Sequence, residues 1–78
     1  MNKNKILVLI SEALEVDSSK INMDTKLGDL EEWDSLGQLS ILTELDKLFD
    51  GKVAEINEMA EADSVESIIY LLKNKGLI

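Results

Sequence analysis

The chain lacks cysteine, histidine and arginine, and each absence removes a class of chemistry. Without cysteine there is no disulfide, no thiolate nucleophile and no cysteine-ligated metal. Without histidine there is no imidazole base, and without arginine there is no guanidinium clamp for phosphate. Carboxylates are abundant, but a catalytic pair of them needs a pocket, which a small helical domain has little room to form. We therefore predict that the chain is not an enzyme by itself.

Length and charge narrow the possible partners. The 78 residues suffice for one domain, so we treat residues 1–78 as a single domain. Sixteen acidic residues stand against eight lysines, and the net charge is -8. This negative field repels nucleic acid and anionic membrane surfaces, and it attracts basic protein surfaces. Solubility alone explains the charge equally well.

No apolar stretch of the sequence is long enough to span a membrane. The longest early apolar run covers residues 6–10 and is followed by Ser11 and Glu12. Lys3 and Lys5 precede this run, as in a signal peptide, but the run is too short and no cleavage site of small residues follows. We expect a cytoplasmic protein with no membrane partner.

Apolar residues recur at helical spacing in three segments of the chain. The predicted longer helices are residues 3–15, residues 35–50 up to Gly51, and a last helix that begins at Asp63 and ends at Gly76. The start at Asp63 rests on Glu66 three residues later, which is the spacing of a capping box. Ile56 to Glu61 should form a further, short helix.

Residues 17–34, between the first two helices, are rich in Asp, Ser, Asn and Gly and follow no helical or strand period. A loop of this length in a compact domain is uncommon and is usually functional. We expect Trp33, the only tryptophan, to anchor the loop with its indole N–H facing water. The predicted fold is all-α: a small four-helix bundle of three longer helices and one short helix, with a long loop between helices 1 and 2.

The second helix begins with two residue types that cap helices, Asp34 and Ser35. Its predicted apolar stripe consists of Leu36, Leu39, Leu42, Leu45 and Phe49. The predicted outer face consists of Gly37, Gln38, Ser40, Thr43, Glu44, Asp46 and Lys47. The glycine in the first turn either indicates a close approach beside Ser35 or is simply tolerated there. An anion attached to the exposed Ser35 hydroxyl would lie near free N–H groups and the positive end of the helix dipole.

The positions of the residues argue against two other chemistries, calcium binding by an EF-hand loop and catalysis by Ser35 as a nucleophile. An EF-hand frame starting at Asp46 has Leu48 at position 3 and Asn57 at position 12, neither of which provides the required ligand. A frame starting at Asp24 has no glycine at position 6. Weak divalent-ion binding by the carboxylate clusters stays open. Ser35 has no nearby base to activate it as a nucleophile, whereas modification by another enzyme only requires that it be exposed.

The motif Asp34-Ser35-Leu36 opens an amphipathic helix that ends in Phe49-Asp50, halfway along an acidic chain. This pattern resembles acyl carrier proteins and the related peptidyl carrier domains, and the resemblance covers nearly the whole chain. It implies that a phosphopantetheinyl transferase attaches a phosphopantetheine arm from coenzyme A to Ser35, flanked by Asp34 and Leu36. The thiol of the arm would hold an acyl or aminoacyl intermediate as a thioester.

The resemblance also implies partners and a place for the acyl chain. Partners would be loading and processing enzymes with basic docking patches, and the candidate contacts are Gln38, Leu39, Thr43, Glu44 and Asp46. The acyl chain would lie between the helices, and the candidate lining is Leu39, Leu42, Ile56, Met59 and Ile68. Plain core packing explains the lining residues better while the arm is empty. We expect a monomer.

The chain departs from the pattern of this family at several positions. Gly37, Ser40 and Lys47 stand where acidic residues are common, Trp33 replaces a small residue, and Ala54 stands where proline is common. These departures favour a dedicated carrier in a specialised pathway, and they leave general fatty-acid synthesis open.

A hypothesis from a different class is an unmodified adaptor. In this hypothesis the acidic helix of residues 36–50 binds a basic partner protein, and Ser35 serves only as part of a helix start. The two hypotheses differ in whether function requires the Ser35 hydroxyl.

Overall fold

A computed structural model describes residues 2–78, and three α-helices account for the regular structure in that range. These are α1 (Lys3–Leu14), α2 (Ser35–Leu48) and α3 (Val65–Asn74). Short 3-10 helices lie at Ser18–Lys20, Val53–Glu55 and Asn57–Glu61, the last of them where we predict a fourth, short helix. Residues 2–78 contain no strand, and their β pairing is one isolated antiparallel bridge between Lys26 and Ser64. The all-α prediction is confirmed.

The first helix begins and ends with local contacts of its own. The Asn2 side chain accepts a hydrogen bond from the Lys5 N–H at 3.0 Å, and the chain leaves α1 through Glu15, which has a left-handed φ of 59°. Its buried face consists of Ile6, Ile10, Ser11 and Leu14. A serine can be buried there because its hydroxyl donates to the Val8 carbonyl at 2.6 Å.

The second helix is rotated relative to our prediction. Its buried residues are Gly37, Gln38, Ile41 and Leu45, so two residues assigned to the outer face point inward. Leu36 and Leu39, which we placed on the apolar stripe, are 75% and 61% exposed. The physical reason is that Gln38 finds hydrogen-bond partners inside the protein, which turns that side of the helix toward the core. Apolar residues occur on several sides of α2, so their spacing alone does not determine the rotation.

The third helix starts one residue later than predicted. Its cap is Ser64, whose Oγ accepts from the Ser67 N–H at 3.1 Å, and the Ser67 Oγ accepts from the Ser64 N–H at 3.2 Å. This is a capping box made by two serines, so the assignment to Asp63 and Glu66 is wrong. Asp63 instead uses its carbonyl to accept from the Leu27 N–H at 2.8 Å.

The long segment between α1 and α2 is attached to the start of α3. The Leu27 N–H donates to Asp63, and the Val65 N–H donates to the Thr25 carbonyl at 3.0 Å. Near its beginning, the Asp17 carboxylate accepts from the Ser19 N–H at 2.9 Å, and this bond holds the pKa of Asp17 below its ordinary value. The backbone just before α3 is thereby held against the loop that leads into α2.

One apolar core contains residues from all three α-helices and from the segments between them. Its fully buried large side chains are Ile6, Ile10, Trp33, Ile41, Leu45, Met59, Val65, Ile68 and Leu72. No buried side-chain nitrogen or oxygen within residues 2–78 lacks a hydrogen-bond partner. The core therefore fixes the relative positions of the start of α2 and the 53–62 segment.

Surface repulsion should limit stability, because the net charge is -8 and the part of the chain in the structure has one ion pair, Lys47 with Glu44 at 3.4 Å. We expect the melting temperature to rise by a few degrees when added salt shortens the Debye length from about 30 Å to about 10 Å. Differential scanning calorimetry at several sodium chloride concentrations checks this. A Glu58→Gln/Glu61→Gln variant should respond less, and equal melting at all salt concentrations would show that repulsion is a minor term.

Candidate functional site

Ser35 is the first residue of α2, and its side chain is exposed. The preceding Asp34 caps the helix: its carboxylate accepts from the Gly37 N–H at 2.9 Å, and its carbonyl accepts from the Gln38 N–H at 2.8 Å. The Asp34 carboxylate is therefore directed at the backbone rather than at the Ser35 hydroxyl. The helix start leaves the N–H groups of Ser35 and Leu36 without intrahelical acceptors, so an anion at this point has donors available.

The close approach indicated by Gly37 is an approach of the chain to itself. A Cβ added at this position would collide with the carbonyl oxygen of Glu32 and would lie 2.8 Å from the Leu14 Cδ2 atom. Real Cβ atoms do not come this close to backbone or side-chain atoms. Gly37 therefore allows the end of the loop and the end of α1 to pack directly on the first turn of α2. It is buried, which corrects our placement of this residue on the outer face.

Trp33 and Gln38 form a buried hydrogen-bonded pair. The Trp33 Nε1–H donates to the Gln38 Oε1 at 2.7 Å, and the Gln38 Nε2–H donates to the Ala62 carbonyl at 2.8 Å. Trp33 is 0% exposed, so the expectation that its N–H faces water is wrong. Gln38 is 9% exposed and is therefore enclosed. Our prediction that it contacts a partner protein is wrong. Trp33 precedes Ser35 in the sequence and Gln38 follows it, so their hydrogen bond restrains the backbone on both sides of Ser35.

The remaining candidates for partner contact lie on or near the surface. Leu39, Thr43 and Glu44 are exposed, and the Thr43 hydroxyl donates to the Leu39 carbonyl at 2.8 Å. Asp46 is half-buried, and its Oδ1 accepts from the Ala54 N–H at 2.9 Å. The donor in this contact, Ala54, stands where the resembled family commonly has proline. A proline could not make the contact, because it has no N–H to donate.

The exposed face of α2 continues onto α1, which sequence reasoning missed. A shallow groove between the two helices is lined by Glu12, Ala13, Glu15, Leu39, Ser40, Thr43 and Glu44. Three carboxylates thus share one face with an exposed leucine. The sequence holds a weak signal for this arrangement, because Glu12 lies on the side of α1 opposite Ile6 and Ile10, and Glu15 directly follows the helix.

A second groove separates α2 from the 53–60 segment and has a volume of about 380 Å³. Of the five predicted cavity residues, Leu42, Ile56 and Met59 line it. Leu39 lies outside it on the surface, and Ile68 is buried in the core away from its lining. The other lining residues are Thr43, Asp46, Val53, Ala54, Asn57 and Ala60. The groove is apolar at its base and polar at its edge.

Comparisons of this chain with protein-family models, with curated proteins and with solved structures found no match. In residues 2–78, no three acidic side chains are grouped so that they could hold a metal ion. The helices in that range are all too short or too polar to cross a membrane. The functional argument therefore depends on Ser35, the faces around it and the groove beside α2.

Substitution of Gly37 tests the packing around Ser35. Alanine normally stabilises a helix interior by about 1 kcal/mol relative to glycine. Here we expect Gly37→Ala to lower the free energy of unfolding by about 1–3 kcal/mol, because Glu32 and Leu14 must move. Urea unfolding followed by Trp33 fluorescence measures this. The matched control is Ser40→Ala, exposed on the same helix, which should change stability by less than about 0.5 kcal/mol. A Gly37→Ala protein as stable as the parent contradicts the prediction.

Proposed function

We propose that the chain is an acyl carrier protein, which holds acyl or aminoacyl intermediates as thioesters on a phosphopantetheine arm attached to Ser35. The observation that carries the proposal is the exposed Ser35 hydroxyl at the start of α2, with the adjacent Asp34 carboxylate engaged by the Gly37 N–H. A serine placed in this way is accessible to a modifying enzyme and has no base with which to act as a nucleophile itself.

The chemistry of the helix start fits a phosphodiester. Attachment joins the Ser35 oxygen to the phosphorus of phosphopantetheine, and the adenosine bisphosphate part of coenzyme A leaves. The N–H groups of Ser35 and Leu36 and the positive end of the α2 dipole favour the negative charge of the linkage. The arm, when bound, supplies the thiol that this chain lacks.

Delivery of the intermediate requires surfaces that partner enzymes recognise. Leu36 and Leu39 offer apolar contacts close to Ser35, and Glu44 together with the α1 carboxylates offers negative charge to basic docking patches. Because the arm tethers the intermediate, its effective concentration at each partner is high without tight binding of the carrier. We propose a monomeric, cytoplasmic carrier with a transferase and acyl-processing or aminoacyl-processing enzymes as partners.

The groove between α2 and the 53–60 segment is the proposed place for the acyl chain. Leu42, Ile56 and Met59 provide an apolar base, and the volume of about 380 Å³ lies at the lower end of the range for small-molecule sites. In this proposal the Asn57–Glu61 turn counts as the short helix of a four-helix bundle. Its position beside α2 makes it one wall of the groove.

Four of the five departures from the resembled family divide into two kinds. Gly37 and Trp33 serve the internal packing of this chain, so they bear little on the choice of partner. Ser40 and Lys47 are exposed, so they do change the surface that a partner meets. We propose on this ground a dedicated carrier in a specialised biosynthetic pathway rather than in general fatty-acid synthesis.

Intact mass spectrometry tests the modification directly. After incubation with coenzyme A and a phosphopantetheinyl transferase, we expect the chain to gain the mass of one phosphopantetheine group, because Ser35 is exposed at a helix start. The Ser35→Ala variant should gain nothing, and Ser40→Ala, which removes another exposed hydroxyl from the same helix, should be modified like the parent. The carrier proposal fails if the parent gains no mass or if Ser35→Ala is still modified.

The unmodified adaptor is the second candidate, and the exposed apolar residues favour it independently of the serine. Leu36 and Leu39 are 75% and 61% exposed, and Leu39 shares a groove with Glu12, Glu15 and Glu44. A basic protein with an apolar centre could bind such a surface. An adaptor predicts that Ser35→Ala retains cellular function while Glu44→Lys abolishes binding to the partner. Glu66→Lys, an equal charge change on the exposed side of α3, is the matched control.

A further inference from the structure

The segment of residues 53–62 forms one wall of the groove beside α2, and two side chains of α2 hold it. The Gln38 amide donates to the Ala62 carbonyl at 2.8 Å; we call this the inner contact. The Asp46 carboxylate accepts from the Ala54 N–H at 2.9 Å; we call this the outer contact. Within residues 2–78 these are the only hydrogen bonds between α2 and this segment.

The two contacts lie near opposite ends of the 53–62 segment. Gln38 and Asp46 are eight residues apart, which corresponds to about 12 Å along the helix. Between them the groove is lined by Leu42 of α2 and by Ile56 and Met59 of the segment. The inner contact therefore holds the end of the wall near α3, and the outer contact holds the end near the turn that follows α2.

The contacts differ in their access to water. Gln38 and Ala62 are 9% and 3% exposed, so breaking the inner contact leaves buried polar groups without partners. Ala54 is exposed and Asp46 is half-buried, so water can replace the outer contact at a lower cost than the inner one. The wall should consequently separate from α2 at its Asp46 end while its Ala62 end stays attached.

We propose that Asp46 is a positioning residue which, through the outer contact, holds residues 53–55 against α2 at the edge of the groove and so controls the entry of an alkyl chain. Both Asp46 and Ala54 line the groove, so loss of their hydrogen bond widens it at that end. The role of Asp46 depends on its oxygen as an acceptor and not on its charge. That the alkyl chain is a cargo tethered through Ser35 rests on the proposed carrier function, whereas the role of Asp46 does not.

Two substitutions of Asp46 separate these properties. Asp46→Ala removes the acceptor, whereas Asp46→Asn removes the charge and keeps an oxygen that can accept from Ala54. The matched control is Glu44→Ala, which removes a carboxylate from the same helix and leaves both contacts in place. Gln38→Leu breaks the inner contact instead and should destabilise the whole protein, because it leaves Trp33 and Ala62 unpaired in the core.

The measurement uses the unmodified 78-residue chain and 1-octanol, a neutral alkyl probe, with nuclear magnetic resonance of the Met59 methyl group and of backbone amides. We expect Asp46→Ala to bind octanol roughly 3- to 10-fold more tightly than the parent, because the outer contact no longer has to break. Its Ala54 amide should also exchange faster with solvent while the Ala62 amide stays protected. Asp46→Asn and Glu44→Ala should resemble the parent.

Three results would overturn the proposal. They are equal octanol affinity in Asp46→Ala and the parent, weaker binding in Asp46→Ala, and an Asp46→Asn protein that behaves like Asp46→Ala. The last result would assign the effect to charge. Since octanol binding does not require modified Ser35, a failure here leaves the carrier proposal untouched. A failure of phosphopantetheine attachment likewise leaves the role of Asp46 intact.

Discussion

The side-chain amide of Gln38 is bonded on both sides inside the protein, and the geometry around Ser35 depends on it. Its oxygen accepts from Trp33 and its nitrogen donates to Ala62, so one residue of α2 joins the loop before the helix to the connection that precedes α3. Leaving either group unpaired in the core costs about 1–3 kcal/mol, which makes any other rotation of α2 unfavourable. The exposure of Ser35, Leu36 and Leu39 follows from that rotation.

Some of this arrangement is predictable from the sequence for a simple physical reason. Helical period and capping residue types are local properties, and they correctly indicate the three longer helices and the helix start at Asp34 and Ser35. The rotation of α2 is not local. Nothing in the sequence pairs Gln38 with Ala62, which is 24 residues away, and the apolar residues of α2 are compatible with more than one buried face. The sequence does not indicate the cap at Ser64, because the third helical residue of a capping box is usually Glu or Gln and is here Ser67.

The site residues also divide into those that local sequence properties indicate and those whose positions depend on distant contacts. Ser35 is accessible as expected, because helix starts lie where the backbone turns outward, and three of the five cavity candidates do share a groove. The resemblance and the predicted apolar stripe place Leu39 in that cavity, whereas the rotation of the helix moves it to the surface. Asp46 was assigned to a partner surface by its charge, whereas its contact with Ala54 depends on the tight turn at Gly51, where φ is 85°. Contacts that depend on a turn's path cannot be found from periodicity.

The two exposed leucines beside Ser35 give the negative charge a further meaning. An exposed apolar surface is a surface through which two copies of the chain could associate. Each copy brings a net charge of -8, with carboxylates of α1 and α2 on the same face, so the copies repel before the leucines can meet. A basic surface meets no such barrier. The acidic excess thus opposes the association of identical copies but not the approach of an oppositely charged surface.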